Sequence, residues 1–219
     1  MNNCNHNYTN TFYYRDTPER IPVSGYEPTV QTGLFKEFLA GRDRKKPFLM
    51  QLSWGPPHPP YHLLPEALKI FRPEEIKLRP NIENPNLQYL ADFYSQIAAL
   101  DTEMGSILEA LDRERIADNT VVLFTADHGD MLGSHGRWDK QIWHEESVNV
   151  PFVLRYPRRV EAGLKLDALV NAVDIMPTLL SLAGLGIPRG VQGIDASGVV
   201  LGKRGPRQDL SLIHISEPT

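Results

Sequence analysis

The chain has 219 residues, of which 41% are hydrophobic and 23% charged, a composition typical of globular proteins and not of disordered or fibrous ones. Its single cysteine, Cys4, excludes an internal disulfide framework and a cysteine-rich zinc module. The net charge of −4 offers no basic surface for nucleic acid, and no apolar run reaches the roughly 18 residues of a membrane-spanning helix.

Strand and helix signals alternate along the chain, which predicts an α/β sheet protein. Apolar residues within 33–41 share one helical face, and Gly41 is expected to end that helix. Residues 48–53 are mostly apolar and bounded by proline and glycine, which predicts a buried strand. The prolines that crowd 56–86 permit loops and short helical turns but no long element.

The strongest helical pattern covers 87–111, with apolar residues three and four apart. Asn84 and Asn86 are candidate N-caps, and Asp118-Asn119 is expected to close the helix. Asp101 falls on the apolar stripe, where we expect a carboxylate that caps or pairs within the fold and does not catalyse.

The second half predicts strands over 120–126 and 151–156, with a short fourth strand at 169–170. A helix is predicted from Asp174, its candidate N-cap, with Pro177 in the first turn and Gly184 at the end.

Asp127 and His128 directly follow the strand predicted over 120–126. The carboxyl ends of strands are where open α/β sheets build their sites, and an Asp-His pair offers one oxygen and one nitrogen ligand to a cation. Gly129 would let the backbone turn there. Taken alone, the triplet is more typical of a turn with a solvated aspartate than of a metal site.

Two further segments carry residues suited to chemistry. The loop 133–140 contains His135, Arg137 and Lys140 between glycines, and is either a cradle for a tetrahedral anion or a solvated surface loop. His58 lies between prolines after the strand predicted at 48–53, either as a positioned proton donor or within a polyproline ligand.

Together these segments resemble the formylglycine-dependent sulfatases of the alkaline phosphatase superfamily. The resemblance rests on 125–136 with Lys140, on 145–157, on Gln51-Leu-Ser-Trp-Gly-Pro-Pro-His58-Pro-Pro, on 173–184 and on the histidine- and tyrosine-containing segment 5–14. It implies a three-layer α/β/α sandwich of the alkaline phosphatase/sulfatase type. It also implies hydrolysis of a sulfate ester with a divalent metal, Ca²⁺ before Mn²⁺ or Mg²⁺.

Carried over residue by residue, the resemblance makes Asp127 and His128 two of the metal ligands. Lys140 would contact the sulfate and the bridging oxygen, and His58 would assist the leaving group. The expected partner is a small-molecule or carbohydrate sulfate ester; we expect no nucleic-acid partner and no membrane span.

The chain departs from the family at the nucleophile, a cysteine in Cys-x-Pro/Ala-x-Arg that is converted to formylglycine. Cys4 lacks that context, and no Asp-Asp pair supplies the remaining metal ligands. We therefore expect 1–209 to be a partial catalytic domain, without the N-terminal strand, the nucleophile helix and the C-terminal subdomain. We expect 1–219 to be inactive alone.

The last ten residues, the function and the cellular location each allow more than one interpretation. Residues 210–219 resemble the in-frame translation of a sequencing adaptor, which predicts a non-native tail; the alternative is a short terminal strand. The functional alternatives are a phosphonate or phosphate ester hydrolase of the same superfamily and a non-catalytic sulfatase-like binding protein. Periplasmic, secreted and cytoplasmic locations are all compatible with the sequence.

Overall fold

The computed structural model describes residues 6–203. The predictions for Cys4 and for the tail 210–219 therefore lie outside the described residues. The chain divides into two compact units: within the described range, one holds 6–115 and 132–137, and the other holds 116–131 and 138–203.

The first unit begins with an antiparallel strand pair followed by two helices. Strand β1 (Asn10–Tyr13) pairs with β2 (Ile21–Ser24), and α1 (Glu27–Gly41) packs against α2 (Leu87–Arg113). The helix predicted at 33–41 is confirmed and starts earlier, because Pro28 in the first turn suits a helix start. Gly41 is its last residue, as expected.

Helix α2 confirms the long helical pattern and selects Asn86 as its N-cap, whose side chain accepts from the Tyr89 N–H at 3.1 Å. The predicted end was wrong: α2 stops at Arg113, and Arg115 takes a left-handed φ of 58°. Asp101 is exposed and not part of the buried stripe, because the neighbouring Leu100 faces the core and successive helical residues point about 100° apart.

The segment 48–53 is not a strand, so that prediction was wrong. Leu49 is 89% exposed, while Phe48 packs edge-on against Phe38 at 5.5 Å between ring centroids. An apolar run becomes a strand only when a neighbour accepts its hydrogen bonds, and neither strand pair within 6–203 extends to this segment.

The proline-rich segment forms three short 3-10 turns, as predicted, at Tyr61–Leu63, Glu66–Leu68 and Pro73–Glu75. Two buried polar residues of α2 hold it in place. The Gln96 side chain donates to the Tyr61 carbonyl at 2.9 Å, and the Ser95 hydroxyl accepts from the Phe71 N–H at 3.1 Å. Because proline has no backbone N–H and limits regular pairing, polar side chains on the buried face of α2 provide hydrogen-bond partners for this segment.

The second unit contains the other strand pair and, within 116–203, three α-helices and a 3-10 turn at Ala117–Asn119. Strand β3 (Val122–Thr125) pairs antiparallel with β4 (Phe152–Arg155), so the strands predicted over 120–126 and 151–156 are confirmed with shorter bounds. The helices are α3 (Glu145–Val148), α4 (Ala172–Leu182) and α5 (Ser197–Val200). The strand predicted at 169–170 was wrong, since no strand forms there and Leu169 is exposed.

The start of α4 corrects the predicted cap. Asn171 is the N-cap, and Asp174 is a buried residue of the first turn that accepts from the Asn171 N–H at 2.8 Å and from the Ile194 N–H at 2.7 Å. The third helical position suits a carboxylate that bonds back to the cap. Beyond Leu182, Gly184 adopts a left-handed φ of 74° and ends the helix as expected.

No helix within residues 6–203 combines the length and the apolar character that crossing a bilayer requires.

Candidate functional site

The candidate metal ligands Asp127 and His128 lie just beyond the carboxyl end of β3. One carboxylate oxygen of Asp127, Oδ1, accepts from the His128 N–H at 3.0 Å, which fixes the turn. The other, Oδ2, lies 3.7 Å from His128 Nε2. Because the Asp127 side chain is 88% exposed, the pair is accessible to a ligand.

The His128 ring is oriented by its other nitrogen. Nδ1 lies 2.8 Å from the Gly129 carbonyl oxygen, and since a carbonyl can only accept, the N–H is on Nδ1. The neutral ring then carries its lone pair on Nε2, beside the Asp127 carboxylate. A ring N–H held by a backbone carbonyl is the arrangement that metal-binding histidines commonly show.

These two side chains can bind one cation between them, because their donor atoms are separated by less than twice a ligand distance of about 2.0–2.5 Å. Two donors alone do not complete a coordination shell. Among residues 6–203 there is no cluster of three or more His, Cys, Asp or Glu side chains with metal-site geometry.

Gly129 is required for a reason other than the one the sequence suggests. Its φ lies outside the left-handed region, but a β-carbon there would collide with the Glu146 carbonyl oxygen. The Gly129 N–H donates to the Ser147 carbonyl at 2.8 Å. The glycine therefore lets the turn approach α3 closely, which fixes the backbone next to Asp127 and His128.

Lys140 lies in the same unit, between two residues with left-handed backbone, Asp139 at φ 65° and Gln141 at φ 71°. Such values are uncommon for residues other than glycine and often occur at functional sites. The Asp139 carbonyl accepts from the Met131 N–H at 2.8 Å, so the backbone before the half-buried lysine is anchored to the segment that follows Asp127.

The predicted anion loop 133–140 does not belong to one unit. Residues 132–137 belong to the first unit. There the His135 backbone N–H donates to the Asn81 carbonyl at 2.7 Å, and the His135 Nε2 lies 3.0 Å from Asn81 Nδ2. The Glu83 N–H donates to the Gly133 carbonyl at 3.3 Å. His135 thus serves a tight turn within the first unit, while Lys140 belongs to the second.

His58, the predicted proton donor, lies half-buried in the first unit. Its Nδ1 donates to the Pro59 carbonyl at 2.7 Å, and its own N–H donates to the Gly55 carbonyl at 3.2 Å. The stiff backbone expected from the flanking prolines is therefore reinforced by hydrogen bonds on both sides of the histidine.

Two contacts to His58 have no signal in the sequence. The Tyr8 hydroxyl donates to the His58 carbonyl at 2.6 Å, and the His6 ring stacks on the His58 ring with 4.2 Å between centroids. These residues precede His58 by about fifty positions, so no local pattern links them.

Comparison with known proteins gives a consistent result. The family model described as Sulfatase matches residues 2–185. The chain is 32% identical over 207 residues to the "Ulvan-active sulfatase" of Formosa agariphila, covering 90% of this chain and 40% of that protein. The chain thus spans well under half the length of this curated relative.

Solved structures agree on the fold. The Bacteroides fragilis protein yidJ superposes with a TM-score of 0.83 at 31% identity, over 90% of this chain and 47% of that one. The phosphonate monoester hydrolase of Agrobacterium radiobacter matches at 0.73 with 24% identity, over 82% of this chain and 43% of that one. The predicted α/β fold of the alkaline phosphatase/sulfatase type is confirmed, with about half of that fold represented here.

The family model covers most of the chain, and the curated relative shares its sequence along nearly all of it. The chain therefore belongs to the sulfatase family.

Proposed function

We propose that this chain supplies part of the active site of a metal-dependent sulfuric ester hydrolase. The observation that carries the proposal is the Asp127–His128 pair, with Nδ1 of the imidazole tied to the Gly129 carbonyl and Nε2 lying 3.7 Å from the Asp127 carboxylate. A hard carboxylate oxygen and a neutral imidazole nitrogen suit a divalent cation, with Ca²⁺ proposed first and Mn²⁺ or Mg²⁺ as alternatives.

A bound divalent cation would neutralise charge on the sulfate oxygens. The chain's own residues do the rest of the proposed work. The Lys140 ammonium is a compact point charge that binds the sulfate and the bridging oxygen. Because Nδ1 of His58 donates to Pro59, Nε2 is the atom from which the protonated ring delivers its proton to the leaving oxygen.

Formylglycine, the family's nucleophile, does not fit any residue of this chain. Cys4 is the single cysteine, and neither the required Pro/Ala nor the Arg follows it.

The proposed substrate is a carbohydrate or small-molecule sulfate ester. The relatives named in this family include an "Ulvan-active sulfatase" and an "Arylsulfatase" of Clostridium perfringens, 32% identical over 190 residues and matched by the chain over 40% of its length. Both names describe sulfatases, which favours a sulfate over other esters.

The metal part of the proposal is testable on the chain itself. Titration of the chain 1–219 with Ca²⁺ and with Mn²⁺, followed through the NMR signals of Asp127 and His128, is expected to shift those signals. Asp127→Asn and His128→Gln should weaken the effect, and His62→Ala, an exposed histidine in a 3-10 turn of the first unit, should not. Identical shifts in all variants would refute the ligand assignment.

Turnover is tested on the complete product of the gene with an aryl sulfate.

The second candidate is a phosphonate ester hydrolase, favoured by the same Asp-His pair, because phosphonate and sulfate groups place similar tetrahedral oxygens around the central atom. Paired aryl sulfate and aryl phosphonate esters separate the two activities. Absence of both, together with normal metal binding, would favour the non-catalytic binding protein.

A further inference from the structure

The segment 6–8 is attached to the loop that carries His58 through several independent contacts. The His6 and His58 rings stack with centroids 4.2 Å apart and planes inclined by 21°. The buried Tyr8 side chain donates from its hydroxyl to the His58 carbonyl at 2.6 Å and to the Pro59 carbonyl at 3.3 Å.

The fit of Tyr8 against this loop is close. A β-carbon at Gly55 would stand 2.7 Å from Cε1 of the Tyr8 ring, so the loop can approach Tyr8 only because residue 55 is glycine. The Tyr8 carbonyl in turn accepts from the Glu27 N–H at the start of α1, at 2.7 Å. Tyr8 therefore fixes the backbone of His58 relative to α1.

A fixed backbone does not fix an imidazole ring, because the second side-chain torsion of histidine is broad and nearly two-fold. The hydrogen bond from Nδ1 to the Pro59 carbonyl, at 2.7 Å, sets one edge of the ring. The His6 ring covers one face and opposes rotation out of that plane. Together they hold Nε2 in one direction, as a proton donor requires.

We propose that His6 is a positioning residue for His58, which it orients by ring stacking. The catalytic meaning of this inference rests on the proposed function, since that function gives His58 its role. The physical claim itself concerns only the state of the His58 ring and is measurable without a substrate.

The test is long-range ¹H–¹⁵N NMR of the histidine rings in the ¹⁵N-labelled chain 1–219, with His58 assigned by His58→Gln. We expect wild-type His58 to show one dominant tautomer with the proton on Nδ1. In His6→Ala the two His58 nitrogens should move towards averaged shifts, while His6→Phe, which keeps a flat ring, should preserve the wild-type pattern. His62→Ala is the matched control and should also preserve it.

An unchanged His58 spectrum in His6→Ala, or an averaged one in His6→Phe, would overturn the inference. If His6→Ala does not fold, as judged from the backbone amide spectrum, His6→Gln makes the same test with a polar side chain that has no ring. Full turnover of a sulfate ester by His58→Gln in the complete gene product would overturn the role of His58 and leave the stacking result standing, so the two failures are distinguishable.

Discussion

The carbonyl oxygen of Glu146 occupies the space in which a β-carbon of residue 129 would stand. This contact is reinforced by the hydrogen bond from the Gly129 N–H to the Ser147 carbonyl at 2.8 Å. The turn that carries the proposed metal ligands is therefore packed, backbone against backbone, on a helix of only four residues. A side chain at position 129 therefore has to displace either the turn or helix α3.

Gly129→Ala is expected to destabilise the chain by about 3 kcal/mol, because the clash is with backbone and no rotamer relieves it. Urea denaturation of the purified chain measures this. Gly198→Ala is the matched control in the same unit: it lies within α5 with nothing near its added methyl group, and should stabilise by ~0.5–1 kcal/mol. Equal stability of Gly129→Ala and wild type would contradict the contact.

Lys140→Ala in the complete gene product is expected to lower kcat on an aryl sulfate by roughly 10²-fold or more, the range found when a charge-stabilising group is removed. The loss should appear in turnover more than in substrate binding, since the developing charge is greatest in the transition state. Lys165→Ala, an exposed lysine, is the control. Wild-type turnover in Lys140→Ala would refute the assignment.

Tyr26→Phe is expected to stabilise the chain and to change its response to alkali. The Tyr26 hydroxyl is buried and has no hydrogen-bond partner among residues 6–203, so its removal at pH 7 should gain about 1 kcal/mol. Burial, with the neighbouring Tyr8, Glu27 and Glu103 adding to it, raises the pKa of Tyr26 well above its ordinary value.

The unfolded tyrosine ionises near pH 10, whereas folded Tyr26 remains protonated above it. Ionisation of Tyr26 therefore leaves the free energy of unfolding unchanged below that pH and lowers it as the pH rises beyond it. Urea denaturation at pH 8 and pH 11 should show this loss in wild type and a smaller loss in Tyr26→Phe. Tyr89→Phe, on the exposed part of α2, serves as the control; an identical loss in all three proteins would contradict the prediction.

Asp195→Asn is expected to destabilise the chain more at neutral pH than in acid. Partial burial acts to raise the pKa of Asp195, but hydrogen bonds from Ser197 and Ser181 outweigh it and lower the pKa below its ordinary value. The Ser197 N–H donates to Oδ1 at 2.8 Å. The stabilisation is therefore present above the unfolded pKa of about 4 and is lost as the pH falls through the lower, folded pKa.

Denaturation of wild type and Asp195→Asn at pH 7 and pH 2.5 measures this difference. The difference in free energy of unfolding between the two proteins should be larger at pH 7 than at pH 2.5. Ser181→Ala should reproduce part of the effect by removing one donor. A constant difference at both pH values would show that ionisation of Asp195 does not contribute.

Sequence patterns correctly predicted those elements that depend only on residues close together in the chain. Apolar residues spaced three and four apart located α2, and Asn86 was recognisable as a candidate cap because capping needs only the next three residues. The pattern at 48–53 failed for the opposite reason, since a strand depends on a partner elsewhere in the chain. Asp174 was recognised as part of the start of α4, but it was predicted as the N-cap and is the third residue of the helix.

In the candidate site, too, contacts between neighbouring residues were predictable and contacts between distant residues were not. Asp127 and His128 are adjacent, so their association was visible in the sequence. The close approach of Gly129 to α3 was not, because it joins residues whose separation is set by folding. The stacking of His6 on His58 was equally hidden, since nothing in either local sequence indicates the other.

The hydrogen bonds that Asp174 accepts from the Asn171 and Ile194 amides have a consequence for how the second unit opens. One carboxylate links the start of α4 to residue 194, twenty positions further along the chain. Rupture of either bond leaves a buried side chain with fewer hydrogen-bond partners, which favours rupture of the other. Deuterium should therefore enter the Asn171 and Ile194 amides at matching rates, as one cooperative opening, although neither amide lies in a helical or sheet ladder.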